Sequence, residues 1–387
     1  MDFDLTPEQE MWRRTIREFA QREITPLIDE SEEKEKFPVE IIPKMASLGY
    51  LGAAYPPEYG GSAPDDLSIR NINECIWFEE MSRVSAGIAF GIQAAAVGAP
   101  NYILRDYGSE EQKQKYLVPC ITKGERLGAF AMTESEAGSD PASMKTTATK
   151  KDSTYILNGS KFFISGGNIA DFVTVAAYTD KSKGTRGGIS LFIVEKGTPG
   201  FEIGQKFVKI GHRAAENVEL LFADCPVPKE NLVGEEGRGW YQLMGALNES
   251  RVGDSARAVG LARAAYEVAL RYAKERVQFG QPIINFQGVS FKLAEMHMRI
   301  EAARLLTYNG AYALGKKADA RLEVSTARLC AAETAREVTT KAMQTLGGYS
   351  YMMDSPLQRY WRDSYLFYFG YGTEEIQKVI ISEAIGR

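Results

Sequence analysis

The sequence predicts an α+β protein in which two helical regions flank a β-rich middle, and three observations carry that expectation. Capping residues and apolar positions at helical spacing mark the first third; from about Leu127 to Leu232 short β-rich runs alternate with Gly, Pro and charged turns; beyond Gly239 helical spacing returns. The breaks predict an N-terminal helical domain over 1–124, a middle β domain over 125–235 and a C-terminal helical bundle over 236–387.

Thr6-Pro7-Glu8-Gln9 supplies a capping residue, a proline at the first helical position and a glutamine at the third, so a helix is expected from there to about Leu27. Helices are expected over Pro38 to Leu48, Leu67 to Arg83 and Ala86 to Tyr107, and from a second capping box, Ser109-Glu110-Glu111-Gln112, towards Cys120. In the middle, Asn158-Gly159 lies between two strand-like runs and predicts a hairpin, with further strands over Asp171 to Tyr178, Gly188 to Glu195 and Val218 to Ala223. Val289, Leu293, Met296, Ile300 and Ala303 then recur at helical spacing.

Composition narrows the function. With 46 basic against 51 acidic residues the net charge is −5, which disfavours an electrostatic nucleic-acid binder. The apolar run Ala86 to Pro100 falls short of the roughly 18 to 20 residues needed to cross a bilayer, so no membrane insertion is expected. The acidic start Met1-Asp2-Phe3-Asp4 lacks the basic-then-apolar order of a signal peptide and predicts a cytoplasmic protein. Cys75, Cys120, Cys225 and Cys330 lie 45, 105 and 105 residues apart, matching no metal or disulfide pattern, and His212 and His297 are the two histidines. Metal chemistry and histidine triads are therefore not expected. Neither GxGxxG after a strand nor GxxxxGK[ST] occurs, so any nucleotide cofactor binds outside a doubly wound fold.

Four fragments could carry chemistry. Met132-Thr133-Glu134 to Gly138-Ser139-Asp140 offers backbone N–H groups and hydroxyls suited to a flat polar ring or a phosphate, and also reads as a Ser/Gly turn. Phe162-Phe163-Ile164-Ser165 sets an aromatic wall beside a hydroxyl, or is a strand running into a turn. Arg276-Val277-Gln278-Phe279-Gly280 ends a helix, where the arginine could clamp a pyrophosphate. Seven aromatics crowd residues 360 to 371, and Gly370-Tyr371-Gly372-Thr373 brackets one of them with glycines before a helix.

In this order and at these distances the fragments resemble the acyl-CoA dehydrogenase family along essentially the whole chain. Gln344, Gly347-Gly348, Arg362-Asp363 and Gly372-Thr373-Glu374-Glu375 complete the likeness. The resemblance implies FAD between an α-helical N-domain, a β domain and a C-terminal four-helix bundle, in a homotetramer that passes electrons from an acyl-CoA to an electron-transfer flavoprotein. Met132, Thr133 and Ser165 would contact the flavin ring and Phe163 would cover it, while Ser139 would touch the CoA or flavin phosphates. Arg276, Phe279, Gln287, Gln344 and Gly348 would hold the FAD of a neighbouring protomer; Thr373 and Glu375 match further FAD contacts. Arg251 would lie near the CoA chain, with Tyr371 and Gly372 at the substrate.

One departure stands out. The family removes a proton alpha to the thioester with a glutamate, whose place is taken here by Tyr371; the second known location of that base matches Ser250. A tyrosine of pKa near 10 is about three units from ionising at neutral pH, roughly 4 kcal/mol, so it is a poor base. Glu249 sits one residue away, which turns its side chain about 100° around the helix. Three expectations follow: a dehydrogenase of a bulky, alicyclic or already unsaturated acyl-CoA with another proton acceptor; an enoyl-CoA reductase or an eliminase; or a non-catalytic FAD- and CoA-binding protein.

Overall fold

The computed structural model describes residues 4–386. Thr6 closes a capping box on Gln9 at the start of Pro7–Phe19, and the chain stays helical through Ala20–Ile24 and Thr25–Leu27, as expected. The expected Pro38 helix is shorter, Ile41–Ser47; Leu67–Val84 begins on the side chain of Asp66. The apolar run expected as one helix over Ala86 to Tyr107 is divided. Ala86–Ile92 passes into a π-helical turn, Gln93–Val97, and Ala99–Tyr107 starts afresh after Gly98. Gly98 permits this turn, since a Cβ there would lie 2.2 Å from the Gln93 carbonyl oxygen. By length and composition this stretch could cross a membrane, yet 94% of its most apolar window is buried within the protein.

The middle domain is a seven-stranded sheet of β1 (Gly128–Ala131), β2 (Thr147–Lys151), β3 (Thr154–Ser165), β4 (Phe172–Tyr178), β5 (Ile189–Glu195), β6 (Phe201–Lys206) and β7 (Asn217–Pro228). Its path is β1-β4-β2-β3-β7-β6, with β5 antiparallel on β4. Every residue of β4 is buried, placing that strand at the heart of the sheet. The hairpin expected at Asn158-Gly159 is not there: both residues lie inside β3, where the register with β7 shifts between Leu157 and Gly159. The turn instead follows Lys151, with Asp152 in the left-handed region. Asn158 spends its side chain on Asp224 across the bulge, and a Cβ at position 159 would collide with Thr146 at 2.5 Å, so the pair marks a bulge rather than a reversal.

Gly239–Glu275, Gln287–Lys316, Arg321–Leu346 and Glu374–Ile385 form the C-terminal bundle. Leu293, Met296, Ile300 and Ala303 face its core as their spacing predicts. Leu67–Val84 packs against the first two of these helices, and the join carries buried charge: Glu79 meets Arg304 at 2.9 Å, and Glu80 meets Arg17 and Arg263, each at 2.9 Å. Such carboxylates stay ionised in the interior only because cations from both sides neutralise them. The helices approach closely at Gly260, where a Cβ would sit 2.2 Å from the Glu79 carbonyl oxygen. Gly260→Ala must therefore push two helices apart, and chemical denaturation is expected to show a loss of about 1–3 kcal/mol.

Candidate active site

The Met132–Thr133 segment follows β1 and is fastened to β3. The Thr133 carbonyl accepts from the Phe162 N–H at 2.8 Å, and the Met132 carbonyl accepts from Lys161 Nζ at 3.0 Å. Lys161 is fully buried and pairs with Glu134 at 2.8 Å. Glu134 also accepts from the backbone N–H groups of Lys145 and Thr146 and from the Thr146 hydroxyl. Burial pulls the Lys161 ammonium down to about 8; burial opposes ionisation of Glu134 too, but Lys161 and these hydrogen bonds hold its carboxyl below the usual range. Sequence reasoning missed this pair, because nothing in the pattern says that a lysine in a strand points inward.

Phe163 is 59% exposed with a left-handed backbone, unusual for an aromatic, and its ring lies 4.9 Å from that of Phe207. Asn217 Nδ2 donates both to the Phe163 carbonyl and to Ser165 Oγ, each at 2.9 Å. The Ser165 hydroxyl proton is thereby left for another acceptor. Thr133, Phe163 and Ser165 thus come together near the C-terminal end of β3 as an exposed aromatic face with hydroxyls nearby, which suits a flat heteroaromatic ring. Ser139 sits exposed in the following loop.

The Gly370-Tyr371-Gly372 loop is held by arginines. Arg328 Nη2 donates to the Gly370 carbonyl at 3.0 Å and Arg251 Nε to the Tyr371 carbonyl at 3.0 Å, while Gln377 Nε2 reaches the Gly372 carbonyl at 3.2 Å. Tyr371 is left-handed, at φ 56°, and its ring meets the Phe90 ring edge-on at 6.5 Å. Beneath it Asp254 lies between Arg328, at 2.7 Å, and Arg257. Arg257 also faces His212 Nε2 at 3.4 Å, and His212, neutral because burial drives its pKa well below the ordinary value, donates its backbone N–H to Asp363. Burial raises the Tyr371 phenol above its ordinary value against the pull of Arg257, and burial with the charge of Arg328 brings Arg251 down to about 10. Thr373 caps the following helix by accepting from the Ile376 N–H at 3.3 Å, and Glu375 projects from its first turn into solvent.

Glu249 points away from this loop, as the helical rotation predicts. It is clamped by Arg105 at 2.7 and 2.9 Å and by Arg70 at 3.3 Å. Ser250 is fully buried with no hydrogen-bond partner for its Oγ among the described residues. Positions 250 and 371 thus carry a hydroxyl and a phenol, not a carboxylate.

The second expected group lies apart, on the bundle. The Gly239–Glu275 helix ends at Arg276, as expected, and the chain then turns through a tight hairpin, Val277–Gln278 against Gln281–Pro282, with Phe279 and Gly280 both left-handed at its tip. Phe279 is 94% exposed. The Arg276 guanidinium lies 5.8 Å from the Tyr349 ring centre, joining the hairpin to the Gly347–Tyr351 turn, and Gln287, Gln344 and Gly348 are exposed. Tyr349 and Tyr351 of that turn are exposed as well, so the hairpin and the turn together leave aromatic area uncovered.

These features describe a site with an aromatic wall suited to a flat ring and, apart from it, a half-buried loop held by arginines, and comparison with known proteins supplies the family. Sequence signatures for the acyl-CoA dehydrogenase N-terminal, middle and C-terminal domains match residues 6–125, 129–225 and 237–386. The chain is 43% identical over its whole length to a short-chain-specific acyl-CoA dehydrogenase of Clostridium acetobutylicum, also covered in full. It is 41% identical to a cyclohex-1-ene-1-carbonyl-CoA dehydrogenase of Syntrophus aciditrophicus, with 99% of this chain and 91% of that protein covered, and 42% identical to an acryloyl-CoA reductase (NADH) of Anaerotignum propionicum, with 100% and 96% covered. The solved structure of butyryl-CoA dehydrogenase from Megasphaera elsdenii superposes with a TM-score of 0.94 at 40% identity over the whole of both chains. The chain belongs to the acyl-CoA dehydrogenase family, flavoenzymes that act on CH–CH bonds of CoA thioesters.

Glu74, the buried neighbour of Glu249, has a titration signature. Burial and the charge of Glu249 raise Glu74 to about 8, with the Tyr102 hydroxyl 2.5 Å away, while Glu249, despite burial, is held near 2 by Arg105 and Arg70. Folded protein keeps the Glu74 proton between pH 4.5 and 8, whereas the unfolded chain has released it. Glu74 therefore makes stability fall as pH rises through that window. Glu74→Gln is expected to flatten the fall between pH 5 and 8 in urea-unfolding midpoints; an unchanged slope would place the titrating group elsewhere.

Proposed function

We propose that this protein is an FAD-dependent oxidoreductase of a bulky, alicyclic or already unsaturated acyl-CoA, in which Tyr371 occupies the place of the glutamate base and another group exchanges the proton. The observation that carries this reading is the loop itself: a phenol whose pKa is pushed up, with its carbonyl fixed by Arg251. FAD, when bound, supplies a two-electron hydride acceptor. Phe163 would form one wall of its site, Thr133 and Ser165 would donate to polar atoms of the ring, and Met132, tied down by Lys161, would hold the adjoining backbone. Ser139 and Arg251 would meet the CoA moiety. Arg276, Phe279, Gln287, Gln344 and Gly348 would close over the FAD of a second copy within a homotetramer; the exposure of Phe279 supports this sharing. Thr373 and Glu375 would add contacts near the loop.

Dehydrogenation removes a hydride from one carbon and a proton from its neighbour. Asp254 is the carboxylate near the Tyr371 phenol, but Arg257 and Arg328 both pair with it, so its oxygens are already engaged. An alicyclic or unsaturated acyl group, whose acidic proton lies away from position 371, meets this constraint, and the relative acting on a cyclohexene thioester supports it by its name. Reduction of an enoyl-CoA is the second reading. A phenol that keeps its proton is suited to deliver it to the alpha carbon, and the 42% identical relative is named a reductase. Electron-transfer flavoprotein is the proposed redox partner in either direction; a 39% identical relative is named as a subunit of a reductase–Etf complex.

Flavin absorbance separates the readings: anaerobic bleaching by a saturated alicyclic acyl-CoA is expected for oxidation, and recovery of reduced flavin by an enoyl-CoA for reduction. A flavin untouched by every thioester would leave only a binding role. Tyr371→Glu is expected to raise bleaching by butyryl-CoA by roughly 10²-fold or more, the worth of a positioned general base. No gain would mean that position 371 does not face the alpha carbon.

A further inference from the structure

The seam between Ala86–Val97 and the Gly239–Glu275 helix holds polar groups that the reaction outlined above does not use. Gln93 opens the π-helical turn Gln93–Val97 and is fully buried, yet neither its Oε1 nor its Nε2 has a hydrogen-bond partner among the described residues. Two further π-helical turns, Ala20–Ile24 and Lys113–Leu117, occur among the described residues, so it is the unpartnered carboxamide that sets this one apart. Across the seam, Gly253 permits the approach: a Cβ there would stand 3.2 Å from Gln93 Nε2 and 2.7 Å from the Phe78 ring. One turn earlier on that helix face lies Ser250, whose buried hydroxyl is likewise unpartnered.

The direction of the seam is fixed by two contacts. Phe90, one turn before Gln93, lies under the Arg257 guanidinium at 4.6 Å, whereas Gln93 lies against Gly253, so the two stretches run antiparallel and Ser250 falls on the Gln93 side. Phe90 also meets Tyr371. A ligand entering beside Tyr371 and passing Phe90 would reach the Gln93 carboxamide and the Ser250 hydroxyl last. Buried polar groups in native proteins are almost always paired, so two such side chains on one seam call for a partner that the chain itself does not supply.

We propose that Gln93 and Ser250 read a hydroxyl on the acyl group, remote from the thioester, so that the preferred substrate is a hydroxylated acyl-CoA. This rests on the functional reading above. A carboxamide offers an acceptor and a donor at once, and a hydroxyl both donates and accepts. A carboxylate would meet the lone pairs of Oε1 without a free cation, since Arg257 is committed to Asp254 and His212. A site that hydrogen-bonds a substrate hydroxyl rejects the analogue lacking it, because its own polar groups are then left bare.

Calorimetric binding to the FAD-loaded enzyme tests this with matched thioesters: cyclohexanecarbonyl-CoA against its 4-hydroxy and 4-carboxy derivatives, and pentanoyl-CoA against 5-hydroxypentanoyl-CoA. The hydroxylated member of at least one series is expected to bind at least about tenfold tighter than its parent. Gln93→Leu should abolish that ratio, and Ser250→Ala, a small truncation that keeps the packing, should reduce it. Equal affinity for parent and hydroxylated thioesters, preference for the carboxylate, or a ratio unmoved by Ser250→Ala together with any folded Gln93→Leu protein would overturn the proposal. Tight binding of the unsubstituted thioesters alone would do so while leaving the functional reading intact; no binding of any thioester would remove both.

Discussion

The site depends on a pair of buried arginines that grip a loop by its carbonyl oxygens. Arg251 from one bundle helix and Arg328 from another each donate to the backbone of Gly370-Tyr371, and Asp254 lies against Arg328 from below. A non-glycine residue at φ 56° carries conformational strain, which persists only where the surroundings over-determine it. The grip therefore has a geometric purpose: it fixes the direction of whatever side chain stands at 371. Here that side chain is a half-buried phenol, whose ring the grip turns towards Phe90.

A similar logic holds the other half of the site. Glu134 gathers Lys161, Thr146 and two backbone N–H groups into one buried knot, and that knot fastens the Met132 carbonyl. The segment facing the flavin-type wall is thus rigid without being part of a regular strand. In both halves, a satisfied charge network replaces secondary structure as the means of holding an irregular backbone still, at the cost of desolvating several ions.

Much of this was legible beforehand. The capping boxes at Thr6 and Ser109 and the spacing of Leu293, Met296, Ile300 and Ala303 are local signals, and local hydrogen bonds and burial realise them directly. The rotation of Glu249 away from the Ser250 face followed from helix geometry alone. What failed was local chemistry overridden by distant contacts. Asn158-Gly159 has the composition of a reversal, but β7 pairs with the chain on both sides of it and draws it into a continuous strand. The division of Ala86 to Tyr107 depends on backbone crowding around Gly98, and the Lys161–Glu134 and Asp254–Arg328 pairs join residues 27 and 74 positions apart. No single window of sequence contains such information.

The hairpin tip at Phe279 carries a different consequence. An aromatic ring presented almost wholly to water adds nothing to the folding free energy of the chain that bears it, and its apolar area, at about 25 cal/mol per Å², is stabilisation still uncollected. The ring is therefore neutral for the thermal endurance of the lone polypeptide. An isolated chain presents a sticky protrusion at this tip, so its solubility in dilute and in crowded solution should diverge.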